Sequence, residues 1–207
     1  VIQIHDMEQG TPEWHAVRAG IPTASEFATV MASGRGGGES KTRRTYLLKL
    51  AGERLTGQPS EGYTNAHMER GKEMESEARD LYGFIQDEPL TRVGFITNGP
   101  KGYSPDALVG ASGLVEFKTA LPHILLDRLL SDEFPPEHMA QCQGGLWVAE
   151  REWLDIVIYW PGLPVFRKRV GRDEPYIRKL ADAVEKFNAE LDQTVERIRA
   201  YGRRAAA

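Results

Sequence analysis

Chemistry concentrates in one stretch of this 207-residue chain: Ser104-Pro105-Asp106, then, after nine residues, Glu116-Phe117-Lys118. Side chains alternate along a strand, so Glu116 and Lys118 share one face while Val115 and Phe117 point into the core. The direction of Asp106 depends on the hairpin register. A three-residue loop, Ala111-Ser112-Gly113 with Gly113 left-handed, pairs Gly110 with Leu114. That register sets Leu108 opposite Glu116 and Asp106 opposite Lys118, and all three polar groups land on one face. A four-residue loop would send Asp106 to the other face. The three-residue register is the expectation. Two carboxylates side by side suit Mg²⁺ or Mn²⁺, which keep waters and bind through one or two carboxylates plus a phosphate oxygen. A neighbouring lysine can orient or deprotonate a water and offset developing charge. The chemistry implied is metal-assisted phosphodiester hydrolysis. The same spacing also describes a surface hairpin carrying a Lys–carboxylate pair.

Helices and strands must position that stretch. Helices are expected over 12–19, with Thr11 as N-cap before Pro12, over 23–32, entered through Thr23 or Ser25, and over 42–55. Between the last two lies a glycine-rich loop, 33–40, and 58–64 is another loop. A longer helix over 65–82 carries Met74, Ala78, Leu81 and Ile85 as its apolar stripe. The period then changes to strands at 92–97, 103–109 and 114–118. Helices at 122–130 and 136–149, strands at 153–159 and 165–170, and a long amphipathic helix from Ile177 to Ile198 complete the chain. The expected fold is α/β (α+β), a central mixed sheet flanked by helices in one domain over 1–207.

Composition narrows the class. Hydrophobic residues at 41% and charged residues at 27% suit a globular protein. No apolar run reaches membrane-helix length and no secretory signal pattern opens the chain. One cysteine, Cys142, leaves no disulfide and no cysteine-based zinc site, which fits a reducing cytoplasm. Net charge is −4, yet six Lys/Arg face two Glu between Arg35 and Arg54, and Arg167, Lys168, Arg169 and Arg172 form a second basic cluster. Such segregation can build one positive surface on an acidic protein, or merely solvated charged faces. The five histidines lack zinc-ligand spacing, and the 34–38 glycines lack the ending of a phosphate-binding loop.

The Asp106/Glu116/Lys118 pattern resembles the metal-binding core of the PD-(D/E)xK nucleases, and more narrowly the lambda-exonuclease or YqaJ-like viral recombinase group. Three further stretches, in the family's order, carry the resemblance. Trp14-His-Ala-Val-Arg18-Ala-Gly20-Ile-Pro-Thr23-Ala-Ser25 is similar to the N-terminal motif. Arg70-Gly71-Lys72-Glu73-Met74-Glu75 is similar to a helix with a third acidic residue, and His138-Met-Ala-Gln141-Cys-Gln143 with Trp147 to a paired-glutamine helix. The resemblance implies a restriction-endonuclease-like core in which Asp106, Glu116 and the Phe117 backbone carbonyl bind metal and Lys118 is catalytic. It further implies that Glu75 helps hold a second metal or its water; the residues alone leave Glu73, Glu75 and Glu77 open. Arg18, Ser25, Ser104 and Gln143 match positions that bind a 5′-phosphate. Gln141 and Gln143 lie on different faces of one helix, and Gln143 is expected to reach the site. Met68 matches an apolar residue that wedges strands apart, or is ordinary packing.

The activity this implies is a Mg²⁺-dependent exonuclease, with Mn²⁺ able to substitute and two metals at the site. It would degrade one strand of double-stranded DNA ends 5′→3′ to mononucleotides, leaving 3′ single strands. A ring-shaped homotrimer, a single-strand annealing partner in phage-type recombination and a host-cell cytoplasmic location follow from the same resemblance. Two rivals keep part of this account: a restriction or repair endonuclease of the same fold, and a non-catalytic DNA-end-binding module.

Overall fold

The structure, a computed structural model, describes residues 1–60 and 66–205. A first strand, β1 (Ile2–His5), precedes α1 (Pro12–Arg18), a 3₁₀ turn at Ala24–Glu26 and α2 (Phe27–Met31). Then follow α3 (Lys41–Thr56), α4 (Ala66–Ile85), β2 (Leu90–Thr91), β3 (Phe95–Asn98), β4 (Gly102–Tyr103), β5 (Ala107–Val109) and β6 (Gly113–Thr119). The chain ends with α5 (Pro122–Ser131), α6 (Met139–Ala149), β7 (Trp153–Tyr159), β8 (Phe166–Gly171) and α7 (Glu174–Ala205). Thr11 caps α1 as its sequence suggests, accepting from the Trp14 N–H. The strand β1 was not foreseen.

The main sheet runs β2-β5-β6-β7-β8, and a small antiparallel sheet runs β1-β3-β4. All neighbours in the main sheet are antiparallel except β6 and β7. A parallel pair needs a crossover, and α5 and α6 supply it. Both faces of β6 are therefore covered, as a central strand next to a crossover requires. Val115 and Phe117 pack with Val157 and Tyr159 against Met74, Ala78 and Tyr82 of α4. Leu114, Leu154 and Ile156 face the other way, into a core completed by Phe27, Leu50, Leu146, Leu180 and Phe187 from the remaining helices.

Two expectations shift. On α4 the buried stripe is Met74-Ala78-Tyr82, one residue every four, whereas Leu81 and Ile85 are exposed. Tyr82 turns inward because its hydroxyl donates to the buried Asp155 at 2.7 Å. The hairpin is also set differently. Val109 pairs with Gly113, Leu108 with Leu114 and Ala107 with Val115, so the three-residue loop is Gly110-Ala111-Ser112. It is Gly110 that adopts positive φ, at 50°. Gly113 is in the strand because the Trp153 ring lies against it; a Cβ there would sit 2.2 Å from the ring. The slip is two residues, an even number, so faces are preserved and Asp106 lines up with Glu116 rather than Lys118.

Candidate active site

Past Ala107 the strand β5 ends, while β6 continues through Glu116, Phe117 and Lys118 to Thr119. The edge left open is taken by a side chain: Asp106 Oδ2 accepts the Phe117 N–H at 2.6 Å. N–H and C=O of one residue leave an extended strand on the same side, so the Phe117 carbonyl faces the same open edge. Glu116 points to the α6 side of the sheet and is only 1% exposed. Three donors hold it. Tyr103 Oη donates to Oε1 at 2.6 Å, while Lys118 Nζ at 2.8 Å and Gln141 Nε2 at 2.7 Å share Oε2. Among the described residues Asp106 Oδ1 has no donor.

The electrostatics follow from this crowding. Burial, then the charges of Glu116 and Glu75, push the Asp106 carboxyl well above the usual carboxylate range, against Lys118 and the Phe117 N–H. Burial alone would pull the Lys118 ammonium down, but Glu116 and Asp106 outweigh it and raise it above the ordinary lysine value. Lys118 is thus a cationic donor here, not the base that a bare amine would be. Burial, reinforced by Glu116, raises the Tyr103 phenol and keeps it a donor. Burial and the Lys118 charge lower the pKa of His138, which precedes the first residue of α6 and makes no side-chain capping bond.

Next to Asp106 in the chain, Ser104 reaches a different group. Arg18 Nη1 donates to Ser104 Oγ at 2.6 Å, and Trp14 Nε1 donates to the same hydroxyl at 3.2 Å. The Arg18 guanidinium lies over the Trp14 ring, 3.9 Å from its centre, and burial lowers its pKa. Trp14 and Arg18 border a pocket of about 190 Å³ whose wall also includes Thr23, Ser25, Tyr46 and Lys49. Ser25 is exposed there, sharing a 3.2 Å hydrogen bond with Thr23 Oγ1. An arginine fork with hydroxyls at a pocket mouth is suited to a phosphate group. The run 103–106 joins the pocket to the carboxylates.

The structure thus brings Asp106, Glu116, Phe117 and Lys118 together, and Arg18, Ser25 and Ser104 beside them. It reverses the glutamines. Gln143 is turned from the site, donating to the Gly171 carbonyl at 2.9 Å and accepting the Asp173 N–H at 2.8 Å, so it ties β8 to the start of α7. Gln141, two residues and some 200° round the helix, meets Glu116 instead. Glu75 lies at the border of the buried stripe as expected, but its Oε1 accepts from Arg79 Nη2 at 2.5 Å. Glu77 accepts from Tyr159 Oη instead. The Met68 side chain lies outside the described residues. Tyr103, which the sequence reading passed over, is the missed member; its place directly before Ser104-Pro105-Asp106 was the available signal.

Most cations of the two basic clusters are paired, while Lys41, Lys49 and Arg167 form no ion pair among the described residues. Arg43, Arg44 and Arg54 pair with Glu190, Glu39 and Asp192, and Lys168, Arg169 and Arg172 with Asp132, Asp155 and Glu174. Among the described residues no helix is long and apolar enough to cross a membrane.

Among the described residues no three His, Cys, Asp or Glu converge as metal ligands. The donors present still fit Mg²⁺ or Mn²⁺. Both are hard ions that take one or two carboxylates and keep the rest of their shell for water and substrate oxygens. Asp106 Oδ1, Glu116 and the Phe117 carbonyl are such a set, and the like charge crowded onto Asp106 is what a cation would relieve.

Comparison with known proteins places this geometry. The model of the YqaJ-like viral recombinase domain matches residues 13–152. The chain belongs to that family. Within the YqaJ-like fold it is similar to the alkaline exonuclease LHK-Exo from Laribacter hongkongensis, at 34% identity and a TM-score of 0.84. The match covers 94% of this chain and 100% of that one. LHK-Exo in complex with dAMP matches at 33% identity and a TM-score of 0.85, over the same shares. A phage-related exonuclease from Haemophilus somnus 129PT shares the fold at 15% identity, TM-score 0.62, covering 86% of this chain and 96% of that one. No curated protein sequence matches.

Proposed function

We propose that this YqaJ-family chain is a metal-dependent exonuclease that degrades one strand of double-stranded DNA from its 5′ end and releases mononucleotides. The observation that carries the reading is the convergence of Asp106, Glu116 and Lys118 at the open edge of β6, linked through Ser104 to Arg18 and its pocket. The similarity to LHK-Exo supports it, and that relative was crystallised with dAMP, a mononucleotide of the kind such a reaction releases.

Asp106, Glu116 and the Phe117 carbonyl would hold Mg²⁺ or Mn²⁺. The ion would supply Lewis acidity toward the scissile phosphate and acidify the attacking water. The chain's own groups do the rest. Arg18 and Ser25 bind and orient the terminal 5′-phosphate, with Ser104 and Trp14 holding the guanidinium in place. Lys118, kept cationic by its two carboxylates, donates to the attacking water or a phosphate oxygen and offsets charge growing in the transition state. Gln141 holds Glu116 through Oε2 while this happens. Glu75, which pairs with Arg79, would help hold a second ion or its water.

This reading carries a ring-shaped homotrimer threaded by DNA, a single-strand annealing partner and action in the cytoplasm of a host cell. The test offers linear 5′-phosphorylated duplex and covalently closed circular duplex to the protein with Mg²⁺. Mononucleotides from the linear DNA alone are expected. Cutting of the circle would contradict an exonuclease in favour of an endonuclease of the same fold. End binding without hydrolysis of either would leave only a binding module.

A further inference from the structure

Tyr103 belongs to β4 of the small sheet, yet its side chain crosses to the main sheet and ends on Glu116 Oε1 at 2.6 Å. Both residues are 1% exposed. The other two donors to Glu116 come from the accessible side, since Lys118 keeps a quarter of its side-chain surface and Gln141 is half-buried. Those two side chains keep some exposed surface beyond their bonds to Oε2. Tyr103 keeps almost none: its ring is clamped against α6, and the clamp requires Gly145, where a Cβ would lie 2.7 Å from the ring carbon bearing the hydroxyl. A carboxylate oxygen accepts two hydrogen bonds, so the phenol takes one site on Oε1 and leaves one open. Both lone-pair sites of Oε2 are filled by Lys118 and Gln141. The oxygen of Glu116 left for a cation is therefore the one that Tyr103 aims.

We infer that Tyr103 is a positioning residue of the nuclease site, fixing the Glu116 carboxylate from its dry side so that Oε1 and Asp106 meet a divalent cation without rearrangement. The inference rests on the reading of these carboxylates as metal ligands and adds to it a residue from outside the Asp/Glu/Lys set. Partners that orient a ligand in this way typically change metal affinity by about ten- to a hundredfold when removed.

The experiment measures Mn²⁺ binding to the metal-free protein by calorimetry, without DNA, so that the readout is not activity. Tyr103→Phe keeps the ring and loses the hydroxyl; its Mn²⁺ affinity is expected to fall about tenfold. Tyr82→Phe is the matched control, because it removes a phenol from another buried carboxylate, Asp155, on the opposite face of the sheet. Its Mn²⁺ affinity is expected to equal that of the unaltered chain. Gly145→Ala retains the hydroxyl but displaces the ring, and is expected to weaken Mn²⁺ as well, which keeps the test alive if Tyr103→Phe does not fold. Unchanged affinity in Tyr103→Phe, or an equal loss in Tyr82→Phe, would overturn the assignment while leaving the metal site intact. Failure of the unaltered protein to take up Mn²⁺ would overturn the metal site itself, and the assignment with it.

Discussion

Lys118 and Asp106 hold opposite ends of one electrostatic problem. Glu116 is buried between them, and its charge raises both of their pKa values. Lys118 therefore enters the reaction charged, and Lys118→Met, similar in length but neutral, is expected to lower kcat about a hundredfold or more while DNA-end affinity stays within a few fold. Asp106 sets the pH dependence. Its folded-state pKa is raised, so the stability it contributes is complete below the ordinary carboxylate range and is lost as pH rises through the raised value. A divalent cation binds the ionised form and competes with that proton. Calorimetry at several pH values should show Mn²⁺ affinity weakening as pH falls through the Asp106 titration; a pH-independent affinity would contradict this. Arg18 sets the end preference. Arg18→Ala is expected to cost about 1.5–3 kcal/mol of discrimination for 5′-phosphorylated over 5′-hydroxyl ends, read as the ratio of initial rates on the two substrates.

Elements, more than residues, decide which side chains meet. The Asp/Glu/Lys set was legible because strand alternation survives any even slip of register, and the hairpin did slip by two. The glutamines were not legible, because helix periodicity separates Gln141 from Gln143 without saying which faces the sheet. That rotation is set by packing: Gly144 and Gly145 let the Phe27 and Tyr103 rings lie against α6, which leaves Gln141 over Glu116. Tyr103 was hidden for the same reason, since only the fold brings the small sheet to β6. The long helix α7 was legible as amphipathic, but its role was not. It is a core element whose Phe187 is fully buried and stacks on Tyr46 of the pocket wall, 5.6 Å between ring centres. Phe187→Ala should therefore destabilise the fold by about 3–5 kcal/mol in denaturant unfolding.

For the molecule as a whole, charge is largely settled internally. The basic stretch on α3 is tied to α7 through Arg43–Glu190 and Arg54–Asp192, so these cations brace two helices rather than face a ligand. Among the described residues Lys41 and Lys49 form no ion pair, and Lys49 borders the Arg18 pocket. A chain with net charge −4 would gain from surrounding its substrate with several copies of this small basic region. Sedimentation equilibrium should give three times the 23.1 kDa chain mass, and a single-chain mass at micromolar concentration would contradict the ring. The central claim, that the Asp106/Glu116/Lys118 face hydrolyses DNA at its ends, meets its most direct test in mononucleotide release from linear 5′-phosphorylated duplex with Mg²⁺. Release that disappears both with EDTA and in Lys118→Ala is the expected result; release that persists in Lys118→Ala would contradict it.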